Sequence, residues 1–281
     1  MTLLARDEGD IIRQNIEFHY KKGVDFIIAT DNASLDNTRD IFLEYRDRGK
    51  LYLIEEPGRD YSQAAWINRM AKIAIDRYGA DIIFYCDADE FWRPKKGDLK
   101  TEIWNSLADV LFVNVINVLL EDHDGNESFP RDAKYAVINP IEASDYLEDT
   151  KKDNLYLFKY PPKVMFKTGK GFLEVAHGNH SIVTQDVKFE WQFSSNIDIY
   201  HFPLRGKEKF YQKVTYAGKA YEQKVSIPKS QSIHLRRWYD SYQNGSLDLT
   251  YQGLTLSKTK AAALINQGMV HHFDFDNFLN S

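Results

Sequence analysis

The sequence has one cysteine, no long uninterrupted apolar run and no large excess of either charge, and each shortage narrows the class of protein. The single Cys86 excludes an intrachain disulfide and suits a reducing compartment. The longest apolar run, residues 110–120, is broken by Asn114 and Asn117 and is too short to cross a bilayer. With 36 basic and 41 acidic residues and no long block of one sign, the net charge of −5 gives no electrostatic argument for nucleic-acid binding. We therefore expect a cytoplasmic protein, with peripheral contact to a membrane left open.

Apolar and aromatic residues are plentiful. The 281 residues are 43% hydrophobic, which is enough for a sizeable core in one large domain or in a domain with an appendage. The 17 tyrosines and 17 phenylalanines suit a carbohydrate site, because tyrosine offers both a stacking face and a hydroxyl, but they equally suit a thick core.

The first hundred residues alternate between strand and helix patterns at the lengths of consecutive βαβ units. We predict strands at 1–5, 26–30, 51–54 and 82–86, with helices at 9–22, 36–49 and 62–79. Such alternation favours right-handed crossovers and a mainly parallel sheet, so the predicted fold class is α/β.

The remainder is predicted with less regular alternation. We expect a helix at 99–107, strands at 110–115, 163–166, 180–183 and 197–200, and an amphipathic helix at 207–224. The polar excursion 121–154 favours an ordered lid or acceptor loop. A mostly helical segment ends the chain, and we expect its Phe273, Phe275 and Phe278 to pack on the same chain rather than on a partner or a membrane.

Acidic residues follow two of the predicted strands. Asp87, Asp89 and Glu90 come directly after the strand predicted at 82–86, and Asp31 comes directly after the strand predicted at 26–30. Because the carboxyl ends of parallel strands meet at one edge, where open α/β sheets bind ligands, we expect these acids to converge. Such carboxylates can share a divalent cation or divide between a cation and a sugar hydroxyl. A solvated acidic turn is the alternative.

Four segments in order resemble the opening of the family 2-like glycosyltransferases of the GT-A fold. They are Leu-Ala-Arg-Asp-Glu at 4–8, Phe-His-Tyr at 18–20, Thr-Asp-Asn-Ala-Ser-Leu-Asp-Asn-Thr at 30–38 and Asp-Ala-Asp-Glu-Phe at 87–91. The resemblance implies a Rossmann-like GT-A mixed sheet and an inverting enzyme that transfers sugar from a nucleoside diphosphate sugar, UDP-linked in our expectation. The acceptor would be a saccharide or another hydroxyl compound, in the synthesis of bacterial surface polysaccharide or glycoconjugate.

The resemblance also implies roles for particular residues. Asp87 and Asp89 match the family's DxD element for Mn²⁺ or Mg²⁺, and Asp31 matches its base- or ribose-binding acid. The matching nucleotide-binding wall consists of Leu4, Ala5, Arg6 and Glu8. Asn32 stands where many relatives carry a second aspartate, and the family's late Glu-Asp pair has no clear counterpart.

A later segment, residues 201–205, resembles the His-x-x-x-Arg-Ser element of some relatives, with Gly206 in place of serine. Here the resemblance implies that His201 completes the cation's coordination. Arg205, with Lys209 or Lys213, can neutralise a departing diphosphate near the start of the predicted helix. In the alternative interpretation, the histidine caps a strand and the lysines are solvated.

The catalytic base is open between two residues. His180 and Glu174 lie in a polar cluster between late strands, where an acceptor hydroxyl would need a base. Glu90 would orient the sugar or support the cation ligands. Arg59 and Gln63 could contact phosphate or base, or merely cap the helix at 62–79.

These predictions assign residues 1–205 to a glycosyltransferase domain, with a nucleotide-sugar half at 1–100 and an acceptor half at 101–205, and 206–281 to a helical extension. Two rival classes remain. A nucleotidyltransferase would carry a glycine-rich basic loop after the first strand, whereas residues 5–9 are acidic. A non-catalytic nucleotide- or carbohydrate-binding module would share the donor site and lack the base.

Overall fold

The computed structural model describes residues 1–57, 63–144, 146–150, 153–183, 188–223 and 233–281. Its architecture is mixed α/β, with a mostly parallel sheet flanked by helices. In chain order, the strands are β1 (Thr2–Ala5), β2 (Ile27–Asp31), β3 (Leu51–Glu55), β4 (Ile82–Asp87), β5 (Glu90–Pro94), β6 (Val110–Leu120), β7 (Ala133–Val137), β8 (Lys163–Lys167), β9 (Trp191–His201) and β10 (Val270–His272). The helices are α1 (Ile12–Lys21), α2 (Thr38–Asp47), α3 (Gln63–Tyr78), α4 (Leu99–Asn105), α5 (Tyr146–Asp149), α6 (Lys207–Gln223), α7 (Ile233–Gln243), α8 (Leu247–Leu254), α9 (Lys258–Asn266) and α10 (Phe275–Asn280).

The chain divides into two compact units, of which unit 1 comprises Met1–Val115 and Pro161–His201. Its sheet has the strand order β6-β8-β4-β1-β2-β3, in which β4, β1, β2 and β3 run parallel. β8 pairs antiparallel with β4, and β6 pairs antiparallel with β8. β9 pairs antiparallel with β5. The predicted α/β class and the succession of βαβ units are confirmed, with element ends shifted by up to three residues.

The core of unit 1 lies between α3 and the parallel strands. Ile67, Met70, Ala71 and Ala74 recur at helical spacing, so one face of α3 is apolar and buried. This face packs with side chains of the sheet, which include Ile28, Ile83, Tyr85 and Phe166.

Strand β5 has no counterpart among the predicted strands. Its five residues end in Pro94 and include Arg93, which obscures the apolar pattern that usually indicates a buried strand. Phe91 and Trp92 are nevertheless fully buried. In the antiparallel register of β5 with β9, Glu90 lies opposite His201, which brings two candidate site residues together.

The strand predicted at 180–183 is wrong. His177–Asn179 form a 3₁₀ turn, in which Gly178 and Asn179 have φ of 78° and 61°. Left-handed backbone of this kind cannot continue a strand. Among the residues that the structure describes, this segment forms one isolated antiparallel bridge, between Val175 and Ile182.

Unit 2 comprises Ile116–Tyr160 and Phe202–Ser281, and its strands have the order β10-β7-β6. The excursion at 121–154 therefore contains a strand, β7, as well as the short α5. The mostly helical C-terminal segment is confirmed, with the addition of β10. None of the helices in the described residues is long and apolar enough to span a membrane.

The predicted apolar face of α6 is confirmed at Phe210, Val214 and Ala217, which are buried. The side chain of Tyr221 and the whole of Lys224, also predicted in this helix, lie outside the described residues.

The C-terminal phenylalanines pack within unit 2, as predicted. Phe202 is 1% exposed, and its ring centroid lies 5.2 Å from that of Phe275 and 5.7 Å from that of Phe273. Phe129 and Phe278 complete this aromatic cluster at 5.6 and 6.3 Å from Phe202. Aromatic side chains of this size contribute much of the burial that stabilises a small unit.

We expect the substitution Phe202→Ala to lower the free energy of unfolding by about 3 to 5 kcal/mol, because it removes the ring at the centre of this cluster and leaves a cavity. Chemical denaturation followed by tryptophan fluorescence measures the change. Leu249→Ala in α8 is the control, since Leu249 is 71% exposed and its loss should cost no more than about 0.5 kcal/mol. Equal effects of the two substitutions would contradict the assignment of the cluster as a core.

Candidate functional site at the carboxyl edge of the parallel sheet

Two candidate ligand residues flank the end of β1. In the parallel register, Ala5 lies opposite Asp31 of β2 and Leu4 lies opposite Asp87 of β4. Because neighbouring strands are about 4.8 Å apart, the two aspartates stand about 10 Å from each other across β1. Both carboxylates therefore belong to one rim of the sheet, at the edge where α/β sheets bind ligands.

The carboxylate of Asp31 is fixed by the turn that follows it. The residue is 2% exposed, and its Oδ1 accepts a hydrogen bond of 2.5 Å from the Ser34 hydroxyl. The Ser34 backbone N–H lies 3.3 Å from Oδ2. Burial raises the pKa of Asp31, and the hydrogen bonds from Ser34 oppose this rise by favouring the charged form.

Hydrogen bonds join the loops that follow β1 and β2. Arg6 Nη1 donates to the Asn32 carbonyl at 3.1 Å, and the Asp7 backbone N–H donates to the Ser34 hydroxyl at 3.0 Å. Asp7 and Ala33 have positive φ, of 53° and 52°, a conformation that costs energy in residues other than glycine. The concentration of such residues in two adjoining loops is typical of a binding site.

Glu8, predicted as part of the nucleotide wall, has its backbone held in the same way. Its N–H donates to Thr38 Oγ1 at 2.7 Å, and the Thr38 hydroxyl in turn donates to Asp36 Oδ1 at 2.5 Å. Asp36 and Thr38 thus stabilise the turn that leads into α2, and Glu8 is partly exposed.

Residues 87–90, here called the acidic turn, are organised around a buried lysine. Lys163 of β8 is 1% exposed, and its Nζ lies 2.7 Å from Asp87 Oδ2 and 3.0 Å from Glu90 Oε1. Glu90 is also 1% exposed, and its Oε2 accepts the backbone N–H of Asp87 at 3.3 Å. The carboxylate of Glu90 thus lies beneath the turn and supports it.

Burial raises the pKa of Glu90. The Lys163 ammonium opposes that rise, and the negative charges of Asp87 and Asp89 add to it.

Helix α1 holds the backbone of the acidic turn from the other side. Asn15 Nδ2 donates to the carbonyls of Ala88 and Glu90 at 3.0 and 2.7 Å. His19 Nδ1 donates to the Asn15 carbonyl at 2.8 Å, and its Nε2 accepts the backbone N–H of Trp92 at 3.1 Å. Asn15 and His19 are fully buried. Their polar character at inward positions of an amphipathic helix is the sequence signal for this role, which we did not predict.

His201 reaches the acidic turn through the pairing of β9 with β5. Its Nε2 lies 3.7 Å from Asp89 Oδ2, and both side chains are largely buried, with exposures of 7% and 13%. A carboxylate oxygen beside an imidazole nitrogen can ligate Mn²⁺, and the carboxylate alone suits Mg²⁺, when phosphate oxygens and water supply the other ligands. Across the ranges that the structure describes, no group of three or more His, Cys, Asp or Glu side chains is arranged to hold a metal ion. Asp89 and His201 alone would leave most coordination positions of a cation to other ligands.

His180 is part of the same electrostatic cluster. Its Nδ1 donates to the Pro162 carbonyl at 3.0 Å, so the neutral ring carries its proton on Nδ1 and a lone pair on Nε2. Burial lowers the pKa of His180 to about 4, and the Lys163 ammonium contributes to this, whereas Asp87 acts in the opposite direction. The imidazole is thus neutral at neutral pH.

The other predicted residues of unit 1 are placed less centrally. Glu174 is exposed. Burial raises the pKa of Tyr85, whose hydroxyl donates to the Leu173 carbonyl, and the charge of Glu174 adds to this rise. Gln63 is the first residue of α3. Arg59 lies outside the described residues.

The predicted diphosphate contacts belong to unit 2. Arg205 and Lys209 are partly buried, and Lys213 is exposed on α6. Burial lowers the pKa of His234, and the charge of Lys213 adds to this effect.

Comparisons with known proteins give no family assignment. No protein-family model matches the chain, and no curated protein matches it.

Among solved structures, the chain is similar to residues 1–349 of TarS from S. aureus in complex with UDP, at 12% identity and a TM-score of 0.37, with 87% of this chain and 71% of that chain covered. It is also similar to HddC from Yersinia pseudotuberculosis, at 14% identity and a TM-score of 0.39, with 79% and 98% covered. A putative glucose-1-phosphate thymidylyltransferase from Bacillus anthracis matches at 9% identity and a TM-score of 0.31, with 86% and 82% covered. Likeness at this level carries no argument about activity, which must be argued from the site itself.

The buried imidazole of His19 should make the stability of the protein depend on pH. Burial lowers the pKa of His19 to about 3, below its value in the unfolded chain, so the unfolded state takes up the proton first as the pH falls. Stability is therefore lost as the pH decreases through 6.5. We expect His19→Gln to lose about 2 kcal/mol less unfolding free energy than the wild type between pH 7 and pH 5.

Urea denaturation at a series of pH values measures this difference. Gln14→Ala, in the same helix but partly exposed, is the control and should keep the wild-type dependence. If His19→Gln shows the same slope as the wild type, the buried neutral imidazole is not the origin of the effect.

Proposed function

We propose that the chain is a metal-dependent glycosyltransferase. It would move a sugar from a nucleoside diphosphate sugar, UDP-linked in the simplest case, to a saccharide or other hydroxyl acceptor in the synthesis of a bacterial surface polysaccharide or glycoconjugate. One observation carries the proposal: Asp31, Asp87 and the Asp89–His201 pair all lie at the carboxyl edge of the parallel strands of unit 1. The resemblance of residues 4–8, 30–38 and 87–91 to the family 2-like enzymes of the GT-A fold supports it.

The donor would be bound across the end of β1. Asp31, whose carboxylate Ser34 orients, would accept hydrogen bonds from the ribose or base, and Asp87 would contact the ribose. Asp89 and His201 would hold a divalent cation, which when bound neutralises charge on the leaving diphosphate. Arg205, Lys209 and Lys213 remain proposed diphosphate contacts on the strength of the sequence alone.

His180 is the better candidate for the base that activates the acceptor. A neutral imidazole with its lone pair on Nε2 can accept the proton of an attacking hydroxyl. Glu174 is the second candidate. Direct attack by the activated hydroxyl on the anomeric carbon, with the diphosphate leaving from the opposite face, would invert the configuration.

The function is tested by incubating the protein with a panel of nucleotide sugars and Mn²⁺ and measuring the nucleoside diphosphate that slow hydrolysis or transfer releases. Release from one member of the panel supports the proposal. A parallel incubation contains a nucleoside triphosphate and a sugar phosphate. Release of pyrophosphate in that incubation would instead indicate a nucleotidyltransferase. Tight nucleotide binding without turnover would indicate a binding module.

Asp89→Asn should abolish metal-dependent turnover, with a fall in kcat/KM of at least about a hundredfold, because the substitution removes the carboxylate that holds the cation. Nucleotide binding in this variant should no longer respond to Mn²⁺. Isothermal titration with and without EDTA measures the second effect.

The matched control is Asp76→Asn, which removes an equal charge from an exposed position of α3 and should leave both measurements unchanged. Full activity of Asp89→Asn in the presence of chelator would refute the mechanism.

A further inference from the structure

Lys163 is a buried cation in the middle of the candidate site. It opens β8, a strand otherwise apolar except at its last residue, and it pairs with Val113 of β6 in the sheet register. Its ammonium lies within 3.0 Å of two carboxylates, those of Asp87 and Glu90, while its side chain is 1% exposed. Since lysine is among the residues least often buried, this position calls for a physical explanation.

Electrostatics supplies one. Asp87, Asp89 and Glu90 place three carboxyl groups within four residues, and two of them are in direct contact with the Lys163 ammonium. Burial of a charge costs several kcal/mol unless it is paired and hydrogen-bonded. An ammonium between two carboxylates meets that requirement, and it occupies the same kind of position that a divalent cation would take between them.

We propose that Lys163 is a resident cation that keeps Asp87 and Glu90 out of the coordination sphere of a divalent metal and confines that metal to Asp89 and His201. The inference rests on the proposed function only in placing the metal at Asp89 and His201. It deepens that function by separating the two aspartates: Asp89 binds the cation, and Asp87 is a hydrogen-bond acceptor held in place by Lys163. Lys163 is thus a positioning residue, because it acts through Asp87.

The consequence is measurable with Mn²⁺ alone. Two protein ligands bind a divalent cation weakly, so the wild-type protein should take up Mn²⁺ only at high concentration in the absence of nucleotide. Lys163→Met removes the ammonium and leaves the Asp87 carboxylate, two residues from Asp89, without its counter-charge. We expect this variant to bind Mn²⁺ at least tenfold more tightly than the wild type, as measured from the electron paramagnetic resonance signal of the free ion.

Three further variants make the result specific. Lys163→Arg keeps the positive charge and should retain wild-type affinity. Lys167→Met, on the same strand, removes an ammonium that donates to the Ser106 backbone carbonyl and should have no effect. Adding Asp87→Asn to Lys163→Met should abolish most of the gain. Unchanged affinity in Lys163→Met, or an equal gain in Lys167→Met, would overturn the inference.

A second comparison keeps the test valid if Lys163→Met does not fold, which circular dichroism and thermal melting would reveal. In the otherwise wild-type protein, Asp87→Asn should change Mn²⁺ affinity by less than twofold, whereas Asp89→Asn should abolish binding. Equal losses in these two variants would show that Asp87 is a metal ligand after all. Because no sugar donor is used, a failed transfer assay would refute the proposed function and leave this result standing.

Discussion

Three carboxyl groups within four residues repel one another, and the arrangement of the acidic turn depends on what is buried beneath it. The Lys163 ammonium contacts two of the three groups, and Asn15 donates hydrogen bonds to two backbone carbonyls of the same turn. One partner offsets charge and the other satisfies backbone acceptors, so neither can replace the other. Both come from elements distant in sequence, β8 and α1. The shape of the acidic turn, which places Asp89 beside His201, therefore depends on contacts that only the folded structure supplies.

Local patterns predicted much of unit 1, because each predicted element there depends on neighbours in the sequence. The apolar strands, the helical face with Ile67 and Met70, and the arrival of Asp31 and Asp87 at strand ends all follow from periodicity and from the rule that parallel strands share an edge. What periodicity could not provide was the pairing of β5 with β9. That register places Glu90 opposite His201, and it is a contact between residues more than a hundred positions apart.

The buried polar residues are the part of the candidate site that could not be predicted from the sequence. Lys163 looks like the solvated first residue of an apolar strand, and His19 looks like one of several residues on the inner face of α1. Specific partners compensate for the cost of burying these groups. The Lys163 ammonium pairs with Asp87 and Glu90, and the His19 imidazole accepts the Trp92 N–H. The amino-acid sequence shows which residue types are present, but it does not show which side chains will pair in the folded protein. Conversely, the strand expected at 180–183 failed because the backbone around Gly178 turns, which a pattern of apolar residues cannot reveal.

If Asp89 and His201 are the protein ligands of the proposed cation, their small number has a consequence for the order of binding. Asp89 and His201 would leave most of the cation's coordination positions to other ligands, and a diphosphate would supply oxygen ligands and negative charge. Cation and nucleotide would then bind with positive coupling, since each improves the environment of the other. The loops after β1 and β2 are joined through Arg6, Asp7 and Ser34, so in the proposed complex they would hold the nucleoside end of the donor without needing the metal. In the proposed mechanism, recognition of the nucleoside would therefore fall to Asp31 on one side of β1, and stabilisation of the leaving group to Asp89 and His201 on the other side.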